Sequence, residues 1–404
     1  MELTELFAAA LGLHGTPWSV SHCRFEGEPR ALELHLDFRR GSRFECPHCR
    51  ALCPVHDTVE RRWRHLNFFQ FRCDLVARVP RVKCENDGVT LISTPWARPE
   101  SGFTLLMEAM ILLLAQSMTV SEIADVLNEH DTRLWRGIGF HVEAAHRAKD
   151  WSGVRRILVD ETSARRGHRY VSVFLDEETR ELLLMVEGRS ADAIGAFVQA
   201  LRAHGGCPEQ IEWVGMDMSQ AYRSGVQRWL PNAQIAFDHF HLTQLAGNAL
   251  DQVRLELARE GASMKGGLWA LRGNEWNRTD EQRTLRTQLC NAYPKLGRAM
   301  GLKDMLVDIL HERDVEGLIW WCRRADRSRL PAFRKLSKTL KSHWDGILGF
   351  FHSGITSAAI EAVNGLIQLA KRAARGFRNF AYFRWMAYLK AGNLHIAVLG
   401  NLTH

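Results

Sequence analysis

Apolar and polar positions alternate early in the chain with the period of a strand. Leu32, Leu34, Leu36 and Phe38 are separated by Glu33, His35 and Asp37, so one face of an extended segment is buried and the other wetted. The first ninety residues read as a small β-rich module. From Phe103 to Ala148 the period lengthens to that of helices. Thr104 to Ala115 forms one apolar helix. Thr119 to Asn128 forms a second, capped by Thr119 or Ser121 and packed through Ile123, Ala124 and Leu127. After a turn at Asp131 and Thr132, Leu134 to Ala148 forms a third, carrying Arg133, Arg136 and His141 at or near its start. The last two make a helix-turn-helix pattern.

Past Gly153 the strand period returns. Ile157 to Asp160 is a short apolar run ending in an acid, and Tyr170 to Leu175 with Leu182 to Val186 makes a hairpin across Asp176 to Arg180. A helix from Ala191 to Ala203 leads to the strand Ile211 to Asp217, again closed by an acid. A helix from Ala221 to Trp229 and a strand from Ile235 to Asp238 follow. This order predicts one mixed sheet in an α/β arrangement. From His241 to Trp344 the pattern is helical throughout, with Trp269, Trp276, Trp320 and Trp321 expected to anchor helix packing.

Ser357 to Gly376 predicts an amphipathic helix ended by Gly376. Its apolar stripe is Ile360, Val363, Ile367 and Ala370. A polar stripe beside it holds Glu361, Asn364, Gln368, Arg372 and Arg375. A final aromatic-rich helix runs from Asn379 to Leu399.

With 404 residues and 46% hydrophobic content, two or three domains with sizeable cores are expected. The net charge of +7 is unevenly spread. Arg334, Lys335, Lys338, Lys341, Lys371, Arg372, Arg375, Arg378, Arg384 and Lys390 are opposed between 332 and 390 only by Asp345 and Glu361. Such a concentration suits a polyanionic partner, most simply nucleic acid. Arg61-Arg62-Trp63-Arg64-His65, followed by Phe68, Phe69 and Phe71, interleaves cations with aromatics in the same sense.

No export signal is visible at the N-terminus, and the most apolar run, Leu105 to Ala115, is too short to span a bilayer. A reducing cytoplasmic setting follows, without a membrane. Cysteines clustered between Cys46 and Cys84 then point to a metal in place of disulfides. Cys46-Pro-His-Cys49 is a zinc knuckle. Cys84 is the expected third ligand, and the fourth is open between Asp87, at the same spacing, and the rival pair Cys53 and His56.

Two strand-end acids and one helix-borne acid form a second candidate centre. Asp160, Asp217 and Glu361 offer hard oxygen donors suited to two Mg²⁺ or Mn²⁺ ions and phosphodiester chemistry. The 144-residue gap from Asp217 to Glu361 is too long for one crossover and is explained if the helical block is an insertion in the catalytic fold.

Here a resemblance becomes specific. Val159-Asp-Glu161, Gly215-Met-Asp-Met-Ser-Gln-Ala-Tyr222, Glu361-Ala-Val-Asn364 with Lys371-Arg372, and Gly376-Phe-Arg-Asn-Phe380 resemble the DDE transposases of bacterial insertion sequences, in particular the IS-L-three family. The likeness extends to Cys46-Pro-His-Cys49, Arg61-Arg-Trp-Arg-His-Leu66 and Val79-Pro-Arg-Val-Lys-Cys84, so it covers nearly the whole chain. It implies an RNase H-like, retroviral-integrase-like catalytic domain with a large helical insertion, preceded by a zinc-ribbon-like module and a helix-turn-helix.

The implied layout is a zinc-binding domain over 1–95 and a helix-turn-helix over 96–152. The catalytic domain takes 153–245 and 351–404, its second part with basic C-terminal helices, and the helical insertion takes 246–350. Asp160, Asp217 and Glu361 match the family's metal-binding triad. Asp238 and His241 resemble a motif following its second Asp, which implies a role at the scissile phosphate or in orienting flanking DNA. Asp87 departs from the family's usual Cys or His. DNA contacts are expected from Arg61, Arg62, Arg64, Arg133, Arg136, Lys371, Arg372, Arg375 and Arg378.

The implied activity is cleavage and joining of double-stranded DNA at transposon ends by a dimer or larger oligomer in the bacterial nucleoid. A nuclease of the same fold that never joins strands, or an inactive DNA-binding regulator, are the alternatives.

Overall fold

The structure, a computed structural model, describes residues 2–402 apart from 29, 166–168 and 273–277. Two compact units divide the chain. Met1–Arg147, Ala370–Lys390 and Leu394–His404 form one, and Ala148–Leu369 with Ala391–Asn393 forms the other.

In the first unit, α1 (Leu3–Ala10) precedes six strands: β1 (Trp18–Glu26), β2 (Ala31–Phe38), β3 (Arg43–Glu45), β4 (Leu52–Phe68), β5 (Phe71–Cys84) and β6 (Gly88–Leu91). Their order is β1-β2-β5-β4-β3, with β6 also against β5. β2 and β5 pair in parallel, and the other described strand pairs of this sheet are antiparallel. The alternation in β2 has its predicted cause, since Leu32, Leu34 and Leu36 are buried in the core.

Three helices follow: α2 (Leu105–Ala115), α3 (Val120–Leu127) and α4 (Asp131–Arg147). Thr119, not Ser121, caps α3, and Glu122 returns the bond to close a capping box. The turn falls earlier than expected. Asn128 takes the left-handed conformation at φ 49°, which a short polar side chain tolerates, so Asp131 already opens α4. The last helix of the chain, α15 (Phe380–Ala391), packs on α4. Trp135 stacks on Tyr382 at 4.3 Å, and a Cβ at Gly139 would sit 2.5 Å from the Trp385 ring. This helix stops at Ala391, short of Leu399, just before Asn393 enters the left-handed region at φ 43°.

In the second unit, β7 (Arg156–Arg165), β8 (Arg169–Asp176) and β9 (Leu182–Glu187) form an antiparallel meander. After α5 (Ala191–Ala203), β10 (Trp213–Met216) joins β7 in parallel; after α6 (Gln220–Trp229), β11 (Gln234–Phe237) joins β10 in parallel. The sheet order is β11-β10-β7-β8-β9. The single mixed sheet is as predicted. β7 runs beyond Asp160, however, because its pairing with β8 continues to Arg165.

Among the described residues the chain continues with α7 (His239–Arg259), α8 (Gly267–Arg272), α9 (Asp280–Ala292), α10 (Pro294–Glu312), α11 (Val315–Arg327), α12 (Pro331–Ser342) and α13 (Trp344–Ser353). They lead to α14 (Ala358–Ala373). Of the three described tryptophans expected to anchor helix packing, Trp321 meets the expectation: it is buried and donates Nε1–H to the Leu302 carbonyl at 2.8 Å. Trp269 is 70% exposed and Trp320 49%, because both fall on the outer faces of their helices. Trp276 lies outside the described residues. Among the described residues no single helix is long and apolar enough to cross a membrane.

Two glycines return the chain to the sheet. A Cβ at Gly349 would lie 2.0 Å from the Ile235 carbonyl oxygen, and one at Gly346 would lie 2.2 Å from the Phe237 ring. Without side chains there, α13 lies directly on β11. Gly354, at φ 68°, ends α13 and releases the chain into Ile355 and α14.

Candidate active site

Three elements deliver the three acids to one cleft. Asp160 projects from β7 just past the last residue of that strand paired with β10. Asp217 is the residue after β10, and Glu361 lies in the first turn of α14. All three line one cleft, together with Asp238, His241, Gly215, Ile355 and Ser357. Gly215 is required there, since a Cβ would lie 2.5 Å from Leu158 and 2.6 Å from Ile355. The 144-residue excursion therefore closes on itself.

Each carboxylate is oriented by a local donor. Asp160 Oδ1 accepts the Glu161 amide at 2.7 Å. Asp217 Oδ1 accepts the Ser219 amide at 2.9 Å, and Ser357 Oγ donates to Glu361 Oε1 at 2.6 Å. Burial pushes the Asp160 carboxyl up to about 6, and the Asp217 charge adds to the rise; the Glu161 amide, His241 and Asn364 oppose it. Carboxylates held together at such a cost are the chemistry of a cation site.

Strand and helix are locked by two amides. Asn364 donates Nδ2–H to Asp160 Oδ2 at 2.8 Å. One turn further along α14, Gln368 donates to Thr162 Oγ1 at 2.7 Å and to the Ser163 carbonyl at 2.9 Å. Asp160 and Thr162 share a face of β7, as i and i+2 must. Asn364 and Gln368 share a face of α14, as i and i+4 must. The match between the two periods fixes the height at which Glu361 enters the cleft.

Asp238 caps α7 by accepting the Phe240 amide at 3.2 Å. Its Oδ2 lies 3.8 Å from His241 Nε2 and has no hydrogen-bond partner, although the residue is buried. His241 is half exposed. His239 stacks on Phe350 at 5.0 Å, and burial holds its imidazole below the usual range. Asp238 Oδ2 and Asn364 Oδ1, both buried and unsatisfied, add acceptors to a site already rich in them. This donor set fits Mg²⁺ or Mn²⁺.

A separate cluster in the first unit has different chemistry. One donor atom from each of Cys46, Cys49, Cys84 and Asp87 lies within 4.8 Å of the others. Cys49 Sγ and Cys84 Sγ are 3.4 Å apart, and Cys46 Sγ is 3.2 Å from Asp87 Oδ2. Zn–S bonds of about 2.3 Å in a tetrahedron put thiolates about 3.8 Å apart, so the set fits zinc. The rival pair does not assemble. Cys53 Sγ bonds to the Ala51 carbonyl at 3.3 Å, and the half-exposed His56 turns to Asp57 at 3.4 Å.

The residues expected at DNA divide into two groups. Arg61, Arg136, Arg372, Arg375 and Arg378 are exposed, and Lys371 is half-buried. Arg62 is exposed but ion-paired with Glu33 at 2.5 Å and Asp74 at 3.5 Å. Arg64 departs from the expectation. It is 2% exposed, 3.4 Å from Glu129, and bonded to the Cys73 carbonyl at 3.1 Å. It shares a face of β4 with the exposed Arg62, but the segment 102–104 pairs with its backbone, and its side chain closes an internal network. Arg133 serves the same network through Glu129 and lies over the Phe103 ring at 4.4 Å. His141, expected on a DNA-reading helix, faces inward to Glu108 at 2.7 Å.

Three stretches of the chain match known families. Residues 42–87 match the zinc-finger of transposase IS204/IS1001/IS1096/IS1165. Residues 92–138 match the helix-turn-helix domain of transposase family ISL3. Residues 157–387, more than half of the chain, match the transposase domain of the same family. The chain belongs to the ISL3 transposases.

Among its relatives is the transposase for insertion sequence element IS1001 of Bordetella parapertussis, 28% identical over 84% of this chain and 86% of the relative. The transposase for IS1557 of Mycobacterium tuberculosis (strain CDC 1551 / Oshkosh) is 28% identical over 79% of each chain. The zinc-finger match spans Cys46, Cys49, Cys84 and Asp87 together, and the cluster they form supports a structural zinc.

Sequence reasoning alone missed several residues of this ISL3 site. Asn364 and Gln368 stood in the polar stripe of α14, at Glu361+3 and Glu361+7. That spacing was the available signal for their contact with β7. Thr162 and His239 carried no signal apart from their proximity to Asp160 and Asp238.

Proposed function

We propose that this chain catalyses DNA transposition. It holds the terminal inverted repeats of an insertion sequence, cleaves DNA strands at those ends, and joins the exposed 3′-OH to target DNA. The observation that carries this reading is the convergence of Asp160, Asp217 and Glu361 on one cleft from three separate elements. The sheet order β9-β8-β7-β10-β11, antiparallel through β7 and parallel beyond it, supports an RNase H-like catalytic fold interrupted by a helical insertion.

Asp160, Asp217 and Glu361 would hold two Mg²⁺ or Mn²⁺ ions. When bound, such ions activate the attacking oxygen and stabilise attacking and leaving oxygens in an in-line displacement. Asn364 holds Asp160 in one orientation and favours its ionised form against the cost of burial. His241, half exposed at the cleft and backed by Asp238, is available to donate a hydrogen bond to the scissile phosphate.

The zinc module with Arg61 and Arg62, the helix α4 with Arg136, and the cations Lys371, Arg372, Arg375 and Arg378 would hold DNA mainly through phosphates. Joining two ends calls for at least a dimer on DNA.

The test is a cleavage and strand-transfer assay with end-sequence duplexes in Mg²⁺. Asp217→Asn and Glu361→Gln should each abolish both products while leaving end binding intact. Full cleavage by either variant would sink the assignment. Hydrolysis without joined product would leave a nuclease only.

A further inference from the structure

The helices α11 and α12 form a hairpin that the catalytic reading leaves unused. Over residues 315–342 it carries eight cations against two acids, a net of +6, where the whole chain carries +7. The charges are not scattered. On α11, Leu318, Trp321, Cys322 and Ala325 are buried, which turns Arg323, Arg324 and Arg327 outward together. On α12, Ala332, Phe333, Leu336, Ser337 and Leu340 are buried, which turns Arg334, Lys335, Lys338 and Lys341 outward. Arg329, also exposed, fills the connection. Ser337 Oγ donates to the Cys322 carbonyl at 3.3 Å and ties the two helices together, so both cationic faces belong to one rigid element.

The two acids do little to neutralise it. Asp326 is engaged by Lys341 at 2.6 Å, and Glu316 lies at the far end of α11. At that end Trp320 is half exposed under Arg324, whose guanidinium sits 5.1 Å from the ring. The outer faces contain no Asn or Gln, the residues that read adenine by paired hydrogen bonds. Arg and Lys in such density serve first as phosphate contacts, which position a duplex without reading its sequence.

We infer that the α11–α12 hairpin is a second duplex-binding surface, which holds target DNA through its phosphates. Target DNA is favoured over the transposon end because the helix-turn-helix match at residues 92–138 already supplies an element for reading an end, whereas this face is dominated by cations and has no Asn or Gln. The inference rests on the transposase reading for the identity of the DNA. The existence of the surface does not depend on it.

The test uses the full-length protein and a 30-base-pair duplex of unrelated sequence, with binding measured across a salt series. Replacing Arg323, Arg327, Arg334 and Lys338 together by Gln should lower the slope of log affinity against log salt by about 3–4, near 0.9 for each phosphate no longer neutralised. A control quadruple at the exposed Arg180, Arg202, Arg228 and Arg259 should leave most of that slope in place. With end-sequence DNA, the hairpin variant should retain cleavage and lose strand transfer at least tenfold. An unchanged slope, or an equal fall in the control, would overturn the inference. A normal slope change with no cleavage by the unsubstituted protein would instead remove the transposase reading and leave the surface.

Discussion

Asn364 Nδ2 donates a 2.8 Å hydrogen bond to Asp160 Oδ2, joining residues 204 positions apart. It is the contact by which the helix bearing Glu361 finds the strand bearing Asp160. An amide in this position does two things at once: it fixes the carboxylate's rotation and stabilises its charge. Substituting Asn364 by Ala should therefore weaken the response to Mg²⁺ by about 10–100-fold, the usual cost of losing a partner behind a metal ligand. Gln368→Ala, one turn away, should cost less, because Thr162 is not itself a candidate ligand. Cleavage rate against Mg²⁺ concentration checks both. Equal effects, or a loss that saturating Mg²⁺ does not restore, would reduce Asn364 to a packing residue.

The elevated Asp160 carboxyl predicts a pH dependence of opposite sign for stability and for activity. In the folded protein it titrates near 6 against an ordinary 3.8, chiefly because of burial and then of the Asp217 charge. A raised carboxyl contributes stability that is complete below pH 3.8 and lost as pH rises through 6. The displacement is worth at most about 3 kcal/mol. Asp160→Asn should accordingly raise the Tm of the metal-free protein at pH 8 and barely change it at pH 4. Cleavage by the unsubstituted protein at limiting Mg²⁺ should fall as the solution is acidified, with a midpoint that moves below 6 as Mg²⁺ is raised, since the cation competes with the proton for Asp160. Thermal melts at the two pH values, with chelator present, check the first statement.

The site was legible in the sequence to the extent that it follows local periods. Asp217 and Asp238 close apolar runs that must be buried strands, and Glu361 sits beside a helical stripe, so their elements could be read directly. The closure of Glu361 onto Asp160 could not. It depends on Gly346 and Gly349 letting α13 touch β11, a contact whose partners lie over one hundred residues apart. The basic residues of β4 show the opposite limit. Arg61, Arg62 and Arg64 look alike in sequence, but Glu129, which captures Arg64, comes from the turn after α3.

That difference between neighbours is measurable. Arg64→Ala leaves the buried Glu129 carboxylate with only Arg72 at 3.1 Å and the partly exposed Arg133. Because Glu129 keeps two cationic partners, the loss is that of the buried hydrogen bond to the Cys73 carbonyl and of local packing, about 1–3 kcal/mol. Arg61→Ala, at an exposed site, should change stability by no more than about 0.5 kcal/mol. Its effect should appear in end binding, as a salt slope lower by about 0.9. Denaturant melts and salt-dependent binding of the two variants separate the roles. A destabilised Arg61 variant with unchanged binding would remove Arg61 from the DNA-contact set.

The cluster of Cys46, Cys49, Cys84 and Asp87 combines three soft donors with one hard one. Zinc accepts both, and holds thiolate more firmly in structural sites. The backbone allows the exchange: the Asp87 carboxylate already lies 3.2 Å from Cys46 Sγ and 3.4 Å from Cys84 Sγ, and the residue is exposed, so a shorter thiol can be reached by a small side-chain adjustment. Asp87→Cys should therefore slow zinc release to a chromogenic chelator several-fold and raise the melting temperature of the zinc-loaded protein. Cys84→Ser, which removes a buried ligand on β5, should release zinc at once and unfold the knuckle. Cys53→Ala should change release less than Asp87→Ala, because that thiol lies beside Cys84 but outside the set of four converging donors. Faster release from Cys53→Ala than from Asp87→Ala would reassign the fourth ligand to Cys53.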